Sequence, residues 1–134
     1  MHLVLVVLLA AGALLDLFLG FSFFFDPANA GAGFGLQATG ADGLSAMRGD
    51  FTAFFWVAAL SMGIGAWKRR GDVLWPALAL FAIALGGRLV NLIAVGDYDG
   101  WWQPMTVEVL HVIVIALAIK VFPFGRISQA APAP

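Results

Sequence analysis

Apolar residues run along this chain in four long blocks separated by short polar or glycine-rich punctuation. The first extends from Leu3 to Phe25, interrupted only by Asp16, and halts at Asp26-Pro27. The second covers 44–67 and ends at Lys68-Arg69-Arg70-Gly71-Asp72; the third runs from Val73 to Val95 and stops at Gly96-Asp97. The fourth covers 105–122, before Pro123. Each block is long enough, or nearly so, to cross about 30 Å of hydrocarbon at about 1.5 Å per helical residue. Strands are excluded, because no period-two alternation is present and a barrel needs many more segments. The pattern predicts an all-α membrane four-helix bundle forming a single domain over 1–134. An outer loop is expected over 26–43 and a flexible tail over 123–134.

Composition narrows the picture further. Of 134 residues, 62% are apolar and 11% charged, and the mean hydropathy is +0.95. A water-soluble domain this short has too little interior to hide that much apolar surface, so the solvent for most of the chain is lipid. The formal net charge is −1, and the seven Lys and Arg residues are scattered, which argues against a nucleic-acid partner. With no cysteine, disulfides, thiolate metal sites and Cys nucleophiles are ruled out.

Basic residues set the expected direction of threading. Lys68, Arg69 and Arg70 fall between spans two and three, and Lys120 and Arg126 follow span four. The other two connections hold Asp26, Asp42, Asp97 and Asp99, with Arg48 as their only basic neighbour. Positive charge marks the cytoplasmic side, so both termini are expected in the cytoplasm, an N-in/C-in arrangement. Trp67 and Trp75 would anchor the inner boundary, and Trp101 and Trp102 the outer one.

Two alternative readings of local sequence are set aside. Ala28-Asn29-Ala30 resembles a signal-peptide cleavage site, but the apolar run before it is too long and lacks a basic leader. Gly31-Ala32-Gly33-Phe34-Gly35 suggests a phosphate loop, yet no strand precedes it and no suitably placed Lys follows. A plain flexible loop is expected there.

The candidate chemistry lies in six polar side chains within or at the mouth of the spans: Asp16, Arg48, Arg88, Asn91, Glu108 and His111. A charge at the centre of a membrane helix costs about 2.5–3.5 kcal/mol, so such groups are expected to face inward and pair. Counting from the outer helix ends, Asp16 lies about 13 Å deep and Arg88 about 10 Å. Asn91, Glu108 and His111 lie roughly 4–9 Å deep by the same rise, and Arg48 enters at the mouth of span two. Facing agrees with depth. Gly12, Asp16 and Gly20 recur every four residues, and Arg88/Asn91 and Glu108/His111 are three apart. Arg48, Thr52, Trp56, Ala59 and Gly63 form a stripe on span two, with Trp56 expected as core or else as the pocket aromatic, and Asp50 pointing away from the stripe as a helix-start or headgroup residue. Arg88 is expected to pair with Glu108 or Asp16, either as packing glue or as the wall of an outward pocket. Glu108-x-x-His111 has the spacing of half a di-iron site. The only other histidine, His2, lies at the far end, so no metal or other cofactor is expected.

The order Asp26-Pro27, Met47-Arg48-Gly49, Gly87-Arg88, Val95-Gly96-Asp97 with Gly100, then Pro104 and Glu108, resembles a family of small four-helix bacterial membrane proteins catalogued as a domain of unknown function. In that family an aromatic and two glycines commonly follow the Arg-Gly pair, where this chain has Asp50-Phe51-Thr52. The resemblance covers nearly the whole chain and implies a bacterial cytoplasmic (inner) membrane location. It singles out Arg48, Arg88 and Glu108, and carries no activity with it.

Three functional classes follow. The first is a non-catalytic accessory or packing subunit of an inner-membrane assembly, with small-residue stripes such as Ala59-x3-Gly63 and Ala84-x3-Arg88 to dock a neighbour. The second is a homodimeric small transporter using Asp16 as its embedded carboxylate; four helices with an acidic residue in span one resemble the small multidrug transporters. Pairing with Arg88 would weaken Asp16 as a proton carrier. The third is a lipid-directed acid–base enzyme using Glu108, His111 and Asp16. The accessory role is ranked first. Expected partners are membrane lipid, other membrane subunits or a second copy.

Overall fold

The computed structural model describes residues 1–125. Arg126 and the part of the expected tail from 126 onward lie outside the described residues. The long helices are α1 (His2–Phe25), α4 (Thr52–Lys68), α5 (Trp75–Val95) and α6 (Trp102–Val121). Two short helices, α2 (Pro27–Ala32) and α3 (Gly40–Ala46), lie between α1 and α4. A π-helical turn, Met47–Phe51, joins α3 to α4, and a 3-10 turn, Asp72–Leu74, leads into α5. No strand occurs among the described residues. Four helical stretches are long and apolar enough to cross a membrane: His2–Phe25, Gly40–Lys68, Asp72–Val95 and Trp102–Val121. Their outward surfaces are apolar, with Leu3, Val4, Phe18, Ile83, Val90 and Ile93 each more than half exposed. Such a surface fits hydrocarbon as the surrounding solvent.

Sequential long helices run antiparallel. Gly20 of α1 lies beside Trp56 near the start of α4, while Ala13 meets Gly63 further along. Phe54 packs edge-on to Phe81 between α4 and α5, and His2 stacks on Phe122, closing the end that holds the chain's N-terminus. The main core gathers Leu9, Met62, Leu74, Phe81, Ile115 and Ala118. A second cluster, Phe23, Met47 and Phe55, closes the opposite end. Close helix approach needs small residues, and Gly20 is a clear case, because a Cβ there would overlap the Trp56 indole.

The connection over 26–43 is more ordered than a flexible loop. Asp26 ends α1 and caps α2, accepting from the Asn29 backbone N–H, with Pro27 at the first helical position. This is the favoured chemistry of a helix start. Gly31 is buried against Met47, and its carbonyl accepts from the Phe34 and Leu36 N–H groups. Gly31, Ala30 and Ala38 therefore pack over the Phe23–Met47 cluster, while Gly35 and Gly40 take positive φ at turns. Helix resumes at Gly40, earlier than the expected start of span two near 44.

Two further boundaries shift for physical reasons. α6 begins at Trp102, so Pro104 sits within its first turn, where its missing N–H has no intrahelical partner to lose. Residues 123–125, expected as the start of a flexible tail, are tied down. Gly71 N–H donates to the Pro123 carbonyl, and Gly125 N–H donates to Asp72 Oδ1. Asp72 is also paired with Arg70, and the Ser61 hydroxyl donates to the Val73 carbonyl at 2.6 Å while accepting from the Ala77 N–H at 3.4 Å. That serine thus joins α4 to an otherwise unsatisfied N–H at the start of α5.

Candidate functional site

A cavity of about 750 Å³ lies among α1, α4, α5 and α6. Its mouth lies between Phe34 and Asp50 on one side and Tyr98 and Asp99 on the other, and it reaches in to Asp16, Phe81 and Glu108. Aromatic walls come mainly from span two, through Phe51 of the π turn and Phe54 and Phe55 of α4. Spacing of three and four residues puts these rings on one helical face. The same rule aligns Phe81, Ala84 and Arg88 on α5, all of which line the cavity.

Arg88 Nε donates to Glu108 Oε1 at 2.7 Å, joining α5 to α6. The Glu108 side chain is 9% exposed and that of Arg88 32%, so the ion pair sits in the wall rather than at the surface. Asp16 is the most deeply enclosed acid, with its side chain 2% exposed. Its nearest basic partner is His111, whose Nε2 stands 3.9 Å from Asp16 Oδ2, beyond hydrogen-bond reach. His111 is held from its other nitrogen, Nδ1, 2.8 Å from the Val107 carbonyl, and its ring stacks on Phe81 at 4.2 Å. Because a carbonyl only accepts, the proton belongs on Nδ1, leaving Nε2 of the neutral ring as an acceptor. Gly12 makes room for this ring, since a Cβ there would stand 3.1 Å from Nε2. Asp16 Oδ2, Glu108 Oε2 and His111 Nε2 are all buried without hydrogen-bond partners.

The predicted constellation therefore divides. Asp16, Arg88 and Glu108 line the cavity, and His111 stands directly behind Asp16. Arg48 does not join them: its Nε donates to the Phe24 carbonyl at 2.9 Å on the α1 side. Asn91 is exposed on α5, outside the cavity. Trp56, expected as core or else as the pocket aromatic, lies outside the cavity lining: it covers Gly20 and stacks on Phe24 at 5.4 Å, with Phe21 edge-on at 5.2 Å. Arg48, Thr52, Trp56 and Gly63 of the predicted stripe face α1, where Thr52 Oγ1 donates to the Gly20 carbonyl. Asp50, expected to point away as a helix-start residue, lines the mouth. Asp50 and Phe51, both in the π turn Met47–Phe51, line the cavity, and such turns recur at functional sites. Of the two partners expected for Arg88, the structure shows Glu108 and not Asp16.

The aromatic lining was missed by the sequence reading. Its signal was present in the 51/54/55 spacing, but an apolar stripe of that kind is indistinguishable from ordinary core. Among the described residues no group of three or more His, Asp or Glu side chains converges as a metal site. The chain matches no family model, no curated protein and no solved structure.

Proposed function

We propose that this chain is a bacterial inner-membrane protein, an N-in/C-in four-helix bundle, that holds an amphipathic small molecule in a cavity open to the outer side. The observation that carries this reading is the space of about 750 Å³ with aromatic walls and, in its lining, the buried side chain of Asp16, whose Oδ2 has no hydrogen-bond partner. Its volume falls within the roughly 300–1,000 Å³ of small-molecule sites, and its mix of apolar walls with a few polar groups is the usual make-up of such sites. Lys68, Arg69, Arg70 and Lys120, placed at the end opposite the cavity mouth, support the orientation.

The test is native mass spectrometry of the protein extracted from its own membranes in mild detergent. A discrete small molecule retained by the wild type and lost when Ala84→Trp fills the cavity supports the reading; if each protein shows only the mass of its own polypeptide, the reading falls. Because the chain lacks cysteine, single cysteines report orientation cleanly. Gln37→Cys should label from outside with an impermeant maleimide, and Arg69→Cys only after lysis.

A second reading, the accessory or packing subunit, is favoured by one observation. On α5 only Ala77 and Phe81 are buried, so much of that helix is uncovered, including Gly87 and the amide of Asn91. In the same experiment, a heavier species containing other polypeptides would support this role.

A further inference from the structure

The chemistry of the cavity goes beyond its existence and specifies a head group. We propose that the ligand is an amphipathic protonated amine, a primary or secondary ammonium on an apolar or aromatic body. The inference rests on the ligand-binding reading above. Three observations converge on it.

The first is charge. Four carboxylates line the cavity, Asp16, Asp50, Asp99 and Glu108, against the single guanidinium of Arg88. Arg88 is already engaged by Glu108. An anion entering this space would meet uncompensated carboxylates, whereas a monocation would complement them.

The second is the hydrogen-bonding inventory at the inner end. Asp16 Oδ2 and Glu108 Oε2 are buried and unpartnered, and His111 Nε2, behind Asp16, is a further acceptor without a donor. Asp16 and Glu108 line the cavity, so a donor entering it approaches both carboxylates, while His111 stands outside the lining. A hydrocarbon leaves the carboxylates unsatisfied, at the cost that buried acceptors incur. A quaternary ammonium brings charge but no N–H. A protonated primary or secondary amine supplies both, and charge-assisted N–H···O bonds are the stronger kind.

The third is the wall. Phe51, Phe54, Phe55 and Phe81, with Phe34 and Tyr98 nearer the mouth, give apolar contact for the body of the ligand. Their ring faces also attract a cation passing or resting near them. A bare metal ion matches neither the aromatic walls nor the donor set, since no group of three ligating side chains converges here.

The experiment compares three twelve-carbon compounds that differ only in the head: dodecylamine, dodecyltrimethylammonium and dodecan-1-ol. Wild-type protein in phosphatidylcholine nanodiscs is titrated with each, and saturable one-to-one adducts are read by native mass spectrometry. Ala84→Trp, which fills the cavity, is the control for adsorption to lipid. Dodecylamine is expected to bind about tenfold or more tighter than either competitor, the gain expected of hydrogen bonds to charged groups. Asp16→Asn should collapse that preference, and Asp42→Asn, at an exposed carboxylate outside the cavity, should leave it intact. If dodecan-1-ol or dodecyltrimethylammonium binds as tightly as dodecylamine, the amine assignment is overturned while the cavity stands. If no compound gives an adduct that Ala84→Trp removes, the ligand-binding reading itself falls. The wild-type comparison decides the matter even where Asp16→Asn does not fold.

Discussion

Arg88 and Glu108 form a one-armed ion pair across the α5–α6 interface: Oε1 accepts from Nε at 2.7 Å, and Oε2 is buried with no partner. Such a pair is far costlier to break than to replace. Arg88→Leu leaves a buried carboxylate uncompensated and is expected to destabilise the protein by on the order of 3 kcal/mol. The double variant Arg88→Leu/Glu108→Leu should recover most of that loss. A double-mutant cycle on reversible unfolding in detergent measures the coupling; a double variant as unstable as the sum of the singles would remove this account.

Gly20 and Trp56 predict a second coupled pair. A Cβ at Gly20 would overlap the indole, so Gly20→Val should cost about 1–3 kcal/mol through overpacking. Trp56→Ala should cost about 3–5 kcal/mol by opening a void. Combined, the valine partly fills the space the indole leaves, and the total should fall short of the sum. Thermal unfolding followed by circular dichroism reads all three variants.

Ser61 fixes how α5 leaves its turn. Its hydroxyl satisfies the Val73 carbonyl and the Ala77 N–H together, so Ser61→Ala should cost about 1 kcal/mol. Amide exchange at Ala77 should quicken more than at the middle of α5. Uniform quickening along the helix would assign the effect to packing instead.

Gly87 separates folding from association. Nothing lies within 4 Å of a Cβ added there, so Gly87→Ile should leave the thermal midpoint of the isolated chain unchanged. If the exposed α5 face docks a neighbour, the same variant should abolish co-purification of that neighbour. Loss of stability in the isolated protein would instead place Gly87 in a contact within the chain.

Much of the architecture was legible before folding because its cause is one-dimensional. Four runs of apolar residues, each of helical length and bounded by Asp26-Pro27, Lys68–Asp72, Gly96-Asp97 and Pro123, demand helices in lipid, where every backbone polar group must be satisfied within the segment. The cost of burying charge likewise singled out Asp16, Arg88, Glu108 and His111 from the sequence. Partner choice was not legible. Whether Arg88 met Glu108 or Asp16 depended on how α5 and α6 are rotated and offset, and helical spacing gives only the face of each helix separately. Arg48, Asn91 and Trp56 left the constellation for the same reason: the stripe of span two that carries Arg48 and Trp56 packs on α1 rather than on the cavity, and α5 turned Asn91 outward. Hydropathy cannot tell a phenylalanine lining a cavity from one filling a core. The tertiary structure alone decided that Phe51, Phe54, Phe55 and Phe81 enclose an open space with Asp16 in its lining, because a cavity belongs to the gap between helices and to no single one of them.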